Sequence, residues 1–313
     1  MRIAIAGAGA MGSRFGYMLS QAGNEVVLAD LWAEHVKAIS DSGLRIDWNG
    51  EDRVARLDIC FPQDLSGHFD LVICFTKAMG LEAMLSQISH ILDDETMVLC
   101  LLNGIGHEKT VRKFVPEANF LIGNTIWTAG LVGPGQVHLH GEGSLALQNV
   151  AVGDERARES AQRVARVLDE AGLNASYSDN VMHSIYRKAA LNGSVNGICA
   201  LLDCNLMSYG KTAQAAEISA EIISEFARVA QVEGITLDQD EVLEYVISTF
   251  DPAGIGEHFP SLHQDLVQNH RLTEIDYLNG AIARKAIEYG FRAPYCELVT
   301  KLVHAKEQLL GAK

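Results

Sequence analysis

The feature that most constrains this chain is Gly7-Ala8-Gly9-Ala10-Met11-Gly12, a G-x-G-x-x-G run placed between an apolar strand and a helix. Arg2–Ala6 reads as a short buried strand, Met11–Ala22 as a helix and Glu25–Ala29 as a second strand. In that setting the three glycines have separate tasks. The first permits a tight turn, the second lets the backbone approach a pyrophosphate, and the third lets the helix pack on the strand. The helix N-terminus then offers unpaired N–H groups and a partial positive charge to phosphate. Gly7, Gly9, Ala10, Met11 and Gly12 are therefore candidate cofactor-binding residues. Asp30, at the end of the second strand, is the acidic residue expected to accept from the adenosine ribose hydroxyls. A bare glycine turn without a ligand would not need this whole context.

The alternation continues. Asp70–Phe75 and Thr96–Leu101 are apolar runs without polar alternation, and Leu81–Ile91 between them has helical spacing. Such runs fit strands of a parallel sheet covered on both faces, so the first half predicts a doubly wound α/β sheet. Around residues 128–149 glycines punctuate two short segments, Val137–His140 and Ser144–Leu147, which read as a paired antiparallel hairpin at one end of that sheet. After Tyr177 the strand signals stop. Helical patterns run through 180–201, 212–233, 238–250, 274–289 and 296–310. The expected organisation is a dinucleotide-binding domain over 1–177 and an all-helical substrate domain over 178–313, both affordable in 313 residues.

Charge narrows the partners. Lys plus Arg number 25 and Asp plus Glu 40, a formal net charge of −15, which repels phosphate backbones and anionic lipid. No nucleic-acid or membrane partner is expected, and a small-molecule substrate is. Six cysteines form no C-x-x-C pair or zinc-ligand pattern, so no metal is expected and buried thiols in a reducing cytoplasm are. No leader pattern and no apolar run near the roughly 20 residues of a membrane span is present. A homodimer is allowed, though nothing in the sequence demands one.

In the second half, the segment 179–202 carries the most information. Lys188, Asn192 and Asn196 stand at i, i+4 and i+8, successive members rotating only about 40° around a helix, so they share one face. The same segment holds Gly193, Ser194 and Gly197, each interior glycine costing about 1 kcal/mol relative to alanine. Two asparagines and a lysine suit a polar ligand, while the glycines suit close approach by another element or by the cofactor. A solvated lysine and an Asn-Gly turn explain the same residues as well. Further on, Thr273 with Asp276 reads as a variant capping box for a helix starting at Glu274, with Asp179 capping the earlier helix. Glu274 is then explained by the helix dipole alone.

Taken in order, GAGAMG at 7–12, Thr76-Lys77, Leu102-Asn103-Gly104, RKAALNGSVN at 187–196, PSLHQD at 260–265 and TEIDYLNG at 273–280 resemble the ketopantoate reductase family over nearly the whole chain. The resemblance implies a Rossmann domain followed by a helical domain like that of 6-phosphogluconate dehydrogenase, with the active site between them. It implies reduction of 2-dehydropantoate to pantoate by hydride from NADPH or NADH, in pantothenate and coenzyme A biosynthesis. By resemblance Lys188 is the general acid, and Glu274, also at the catalytic centre, binds a substrate hydroxyl or helps position Lys188. Asn103, Asn192, Asn196 and Ser261 contact substrate, and Lys77 and Asn103 lie on the Rossmann side, near the nicotinamide and the substrate. Some members carry Gln where Gly80 stands here, QNG is commoner than this chain's LNG, and the segment between PSLHQD and TEIDYLNG is one residue longer. Asp30-Leu31-Trp32 replaces the basic residue common in NADPH-dependent members, which points to NADH. A paralogue acting on another branched 2-oxo acid shares all these groups. A non-catalytic dinucleotide sensor would not need Lys188 and Glu274 together.

Overall fold

The computed structural model describes all residues, Met1–Lys313. They form two compact units, one made of Met1–Leu102 and His107–Val181, the other of Asn103–Gly106 and Met182–Lys313.

The first unit is built on an eight-stranded sheet: β1 (Arg2–Ala6), β2 (Glu25–Ala29), β5 (Asp58–Cys60), β6 (Leu71–Cys74), β7 (Met97–Cys100), β8 (Phe120–Thr125), β11 (Leu145–Asn149) and β12 (Ala175–Tyr177). Their spatial order is β12-β11-β8-β7-β6-β1-β2-β5. Every neighbouring pair is parallel except β8 with β11. From the β5 edge, the first six strands follow the order 3-2-1-4-5-6, the doubly wound dinucleotide-binding arrangement, whose switch point falls between β1 and β6. Period-2 side chains explain why these strands are apolar throughout. Ile3, Ile5, Leu28, Ile73 and Leu99 enter one core cluster, whereas Ala4, Ala6, Ala29, Val72, Cys74 and Val98 enter the other. Helices α1 (Ala10–Gln21), α2 (Ala33–Ser42), α3 (Leu81–Ile88), α4 (Glu108–Val111) and α5 (Glu155–Leu168) accompany the sheet. The last is capped by Asp154, which accepts from the N–H groups of Arg156 and Ala157.

The expected hairpin does not form. A second sheet of four strands, ordered β4-β3-β10-β9, comprises β3 (Leu44–Trp48), β4 (Glu51–Ala55), β9 (Gly130–Gly133) and β10 (Gln136–Leu139). The 137–140 segment pairs here, antiparallel to β9 and parallel to β3, while the 144–147 segment becomes β11 beside β8 in the main sheet. Both segments are strands, but their partners lie elsewhere, because alternation fixes a strand's faces and not its neighbour. The buried face of the second sheet (Leu44, Ile46, Ala55, Val137, Leu139) joins the same core cluster as Ile3 and Ile5.

The second unit is helical: α6 (Val181–Leu202), α7 (Leu206–Gly210), α8 (Ala215–Val232), α9 (Gln239–Ser248), α10 (Ser261–His263), α11 (Asn279–Glu288) and α12 (Pro294–Leu310). No helix is long and apolar enough to cross a membrane. The α6 glycines are packed against other helices. A Cβ at Gly193 would lie 2.5 Å from the Phe226 ring of α8, and one at Gly197 would lie 2.7 Å from Val299 Cγ1 of α12. The buried Asn279 amide donates to the Gly193 carbonyl at 3.0 Å, tying α11 to the same point. The helix expected from Glu274 is also corrected. Ile275–Tyr277 is a single 3₁₀ turn, and α11 starts at Asn279. The Thr273 hydroxyl accepts from the Ile275 N–H at 3.4 Å, but its own proton and its N–H both go to Glu307. Asp179, expected to cap α6, instead accepts from Arg158 and the Tyr177 hydroxyl.

The Phe226 contact supplies a stability test. Alanine at position 193 gains about 1 kcal/mol of helix propensity but drives a methyl into a fully buried ring. Overpacking of this kind typically costs about 1–3 kcal/mol, so Gly193→Ala should lower the urea midpoint. An unchanged or raised midpoint would show that the ring yields.

Candidate active site

In the first unit the glycine run forms the turn from β1 into α1. Gly7 has φ +104°, and a Cβ there would fall 2.7 Å from the backbone of Phe75 and Thr76. At Gly12 a Cβ would lie 1.9 Å from the Gly7 carbonyl oxygen. Both positions must be glycine for the chain's own packing. Gly9 differs, since a Cβ there would meet nothing within 4 Å. The protein leaves space in front of Gly9, at the N-cap of a twelve-residue helix whose first residues are Ala10, Met11 and Gly12. That opening fits a phosphate group approaching unpaired helix N–H donors. Beyond β6, on the other side of the switch point, the buried Thr76 hydroxyl has no partner, and Lys77 is exposed.

Asp30 is half-buried, and its carboxylate braces this turn. Oδ2 accepts from the Ala8 N–H at 2.7 Å and Oδ1 from the Trp32 N–H at 2.9 Å. Sequence reasoning missed two further braces. The Ala8 carbonyl accepts from the Ser13 hydroxyl at 2.7 Å and lies 2.9 Å from His35 Nε2. The other His35 nitrogen, Nδ1, accepts from the Gly135 N–H at 3.0 Å, which fixes the neutral tautomer with its proton on Nε2. Trp32 is not a core residue. It is 38% exposed and stacks parallel on the His35 ring at 5.3 Å. An apolar α2 face gave no hint of His35, because its partners are backbone atoms 27 and 100 residues away.

The second unit gathers the remaining candidates. α6 presents Lys188, Asn192 and Asn196 on one face, a step round from the glycines packed against Phe226 and Val299. Lys188 and Asn192 are half-buried and Asn196 is buried. Asn196 Nδ2 lies 3.4 Å from the hydroxyl of Ser261, itself exposed at the start of α10. Glu274 is 6% exposed, at the entry of the 3₁₀ turn. Burial lowers the Lys188 pKa to about 8, and the negative charge of Glu274 acts in the opposite direction. These two residues, 86 positions apart in the sequence, therefore interact electrostatically. Asn103, expected in the Rossmann domain, instead belongs to this unit. Its loop is anchored where the Ile105 N–H donates to the Tyr277 carbonyl at 2.8 Å, in the same turn that follows Glu274. Gly104, at φ +96°, sits so near that a Cβ would be 2.2 Å from that oxygen.

Such an arrangement can hold an ammonium ready to give up a proton near neutral pH, beside amide and hydroxyl donors suited to a carboxylate. Groups of histidine, cysteine and carboxylate able to hold a metal ion are absent, and all six cysteines are free.

Residues 3–151 match the family model described as ketopantoate reductase PanE/ApbA, and residues 180–307 match its C-terminal counterpart. A 2-dehydropantoate 2-reductase of Lactococcus lactis subsp. lactis is 53% identical over 315 residues, covering 100% of both chains. One from Streptococcus pyogenes serotype M3 is 48% identical, covering 99% of each. Among solved structures, the ternary structure of D-mandelate dehydrogenase with NADH and anilino(oxo)acetate is 55% identical over 100% of both chains, with a TM-score of 0.96. With both family models matched in order and relatives of this identity aligned end to end, the chain belongs to the ketopantoate reductase family of oxidoreductases.

Proposed function

We propose that this chain reduces the ketone of 2-dehydropantoate to give pantoate, serving pantothenate and coenzyme A synthesis in the cytoplasm. The observation that carries the proposal is the half-buried Lys188, poised near pH 8 and opposed by Glu274. When bound, the reduced nicotinamide cofactor supplies the hydride. Gly7, Gly9, Ala10, Met11, Gly12 and Asp30 bind the dinucleotide, with Lys77 and Asn103 towards its nicotinamide end. Lys188 Nζ gives its proton to the ketone oxygen, and its charge stabilises the alkoxide as it develops. Glu274 keeps the ammonium charged against the burial that would discharge it. Asn192, Asn196, Ser261 and Asn103 orient the 2-oxo acid, the Asn196–Ser261 pair offering two donors side by side.

A second reading widens the substrate to other 2-oxo acids, reduced with NADH. Asp30 favours it. In NADH the 2′-hydroxyl donates to a carboxylate, whereas NADPH brings a 2′-phosphate beside it. Two unit charges about 4 Å apart repel by roughly 4 kcal/mol at an effective dielectric of 20, and solvent reduces this at a half-buried site. Asp30 cannot turn away without losing its bonds to Ala8 and Trp32. The D-mandelate dehydrogenase relative has NADH bound.

Kinetic measurements test these readings. Lys188→Ala should lower kcat by about 10²–10⁴-fold with little change in dinucleotide affinity, and unchanged turnover would remove Lys188 from the chemistry. In the wild type the acid form of Lys188 is lost as pH rises through about 8, so reduction should fall there, while the reverse oxidation, which needs the neutral amine, should rise. Separately, kcat/KM for 2-dehydropantoate and for the 2-oxo acid corresponding to mandelate, each with NADH and NADPH, ranks substrate and cofactor. NADH should be preferred and Asp30→Asn should narrow the preference. A clear NADPH preference in the wild type would place the ribose away from Asp30.

A further inference from the structure

The turn that carries Glu274 is held on both sides by the C-terminal helix. Immediately before it, Thr273 donates its N–H at 2.9 Å and its hydroxyl at 2.7 Å to Glu307 Oε1. Glu307 is a carboxylate only 5% exposed, so leaving either of its oxygens without donors would be costly. Its second oxygen lies 2.7 Å from His304 Nδ1. The opposite nitrogen of that ring lies 3.2 Å from Asp276 Oδ2, two residues after Glu274. Asp276 is held in turn by Arg284 of α11, which reaches its carboxylate at 3.3 Å and its carbonyl oxygen.

His304 thus stands between two carboxylates, with a nitrogen against each. Only the imidazolium can donate at both ends. Burial works against that charge, but the bonds to Glu307 and Asp276 outweigh it and raise the His304 pKa above its ordinary value. The charged groups around the ring are Glu307 on its own helix, Asp276 on the turn, and Arg284 behind Asp276. Tyr277 closes the turn by accepting from Ile105. Glu274 therefore sits in a segment fixed at positions 273, 276 and 277, and its carboxylate has little freedom to seek Lys188 from elsewhere.

We propose that Glu307 and His304 are positioning residues for Glu274, and through it for the Lys188 ammonium. This rests on the reading that Lys188 and Glu274 carry the chemistry. The chain of cause is short. If Thr273 loses its buried acceptor, the Glu274 carboxylate shifts, its field at Lys188 weakens, and burial then lowers the Lys188 pKa further. A merely structural role would change stability without moving that titration.

The test uses the full-length protein with Glu307→Ala, Glu307→Gln and His304→Ala. The readouts are the pH profile of kcat/KM for 2-oxo acid reduction, NADH affinity by fluorescence titration, and thermal unfolding. Both alanine variants should move the alkaline limb to lower pH and reduce kcat by about 10- to 100-fold, as misplacement of a reacting group does, with NADH affinity unchanged. Glu307→Gln keeps an oxygen for Thr273 and an N–H for a neutral His304, and should recover most of the rate. Should Glu307→Ala fail to fold, the half-exposed His304 site decides alone. A wild-type limb and wild-type kcat in His304→Ala overturn the proposal. If Lys188→Ala itself retains turnover, the underlying assignment has failed instead, and the two failures are told apart by that variant.

Discussion

A methyl group at position 12 would lie 1.9 Å from the carbonyl oxygen of Gly7, and most of the first unit follows from that closeness. The chain leaves β1, turns at a residue with φ +104° and enters α1 with almost no separation between strand and helix. Only then does the helix N-terminus stand directly over the end of the sheet, with its unpaired donors facing outward. The Ala8 peptide at the apex would be loose on its own. It is clamped by Asp30 on its N–H and by Ser13 and His35 on its carbonyl. His35 extends the brace to Gly135 and so to the turn before β10. The second sheet thus does more than enlarge the core, since it buttresses the loop where a dinucleotide would be gripped.

Helix α6 solves a related problem by similar means. Gly193 and Gly197 let α8 and α12 approach until their side chains touch the backbone of α6. With the packing done on that face, the neighbouring face is left to Lys188, Asn192 and Asn196. Under the proposed function, desolvation is what suits Lys188 to proton transfer. A lysine in water holds its proton too tightly at neutral pH, whereas here burial brings the group to about 8, near the operating range favoured for acid–base work. The negative charge of Glu274 acts against burial. The two effects oppose each other, and burial is the larger.

Local signals made much of this readable. The glycine run, the apolar strands and the i, i+4, i+8 series are properties of short segments, and each maps onto β1 with α1, onto β6 and β7, and onto α6. What was not readable depends on partners distant in sequence. The segments at 137–140 and 144–147 were legible as strands, but their assignment to different sheets depends on β3 and β8. Thr273 has the composition of a cap, yet a buried carboxylate 34 residues later claims its hydroxyl. His35, His304 and Glu307 look like ordinary residues of amphipathic helices. Their significance comes from backbone or turn atoms that tertiary structure alone brings within reach.

Relatives of similar identity carry the names of different substrates. Chains of 53% and 55% identity bear different names, 2-dehydropantoate 2-reductase and D-mandelate dehydrogenase. Proton transfer and carboxylate recognition need charged or hydrogen-bonding groups at fixed places, and a misplaced buried polar group is penalised heavily. The remainder of a 2-oxo acid, whether branched and hydroxylated or aromatic, is distinguished largely by the shape of an apolar pocket. One methylene there is worth only about 1–3 kcal/mol, so a few substitutions can alter substrate preference while leaving the reaction untouched. The hydroxyl of 2-dehydropantoate is the exception. A site built to hydrogen-bond that group would reject a substrate lacking it far more strongly than any difference in size could. Ranking the two substrates on this chain therefore reports whether such a polar contact exists, which sequence identity at this level does not.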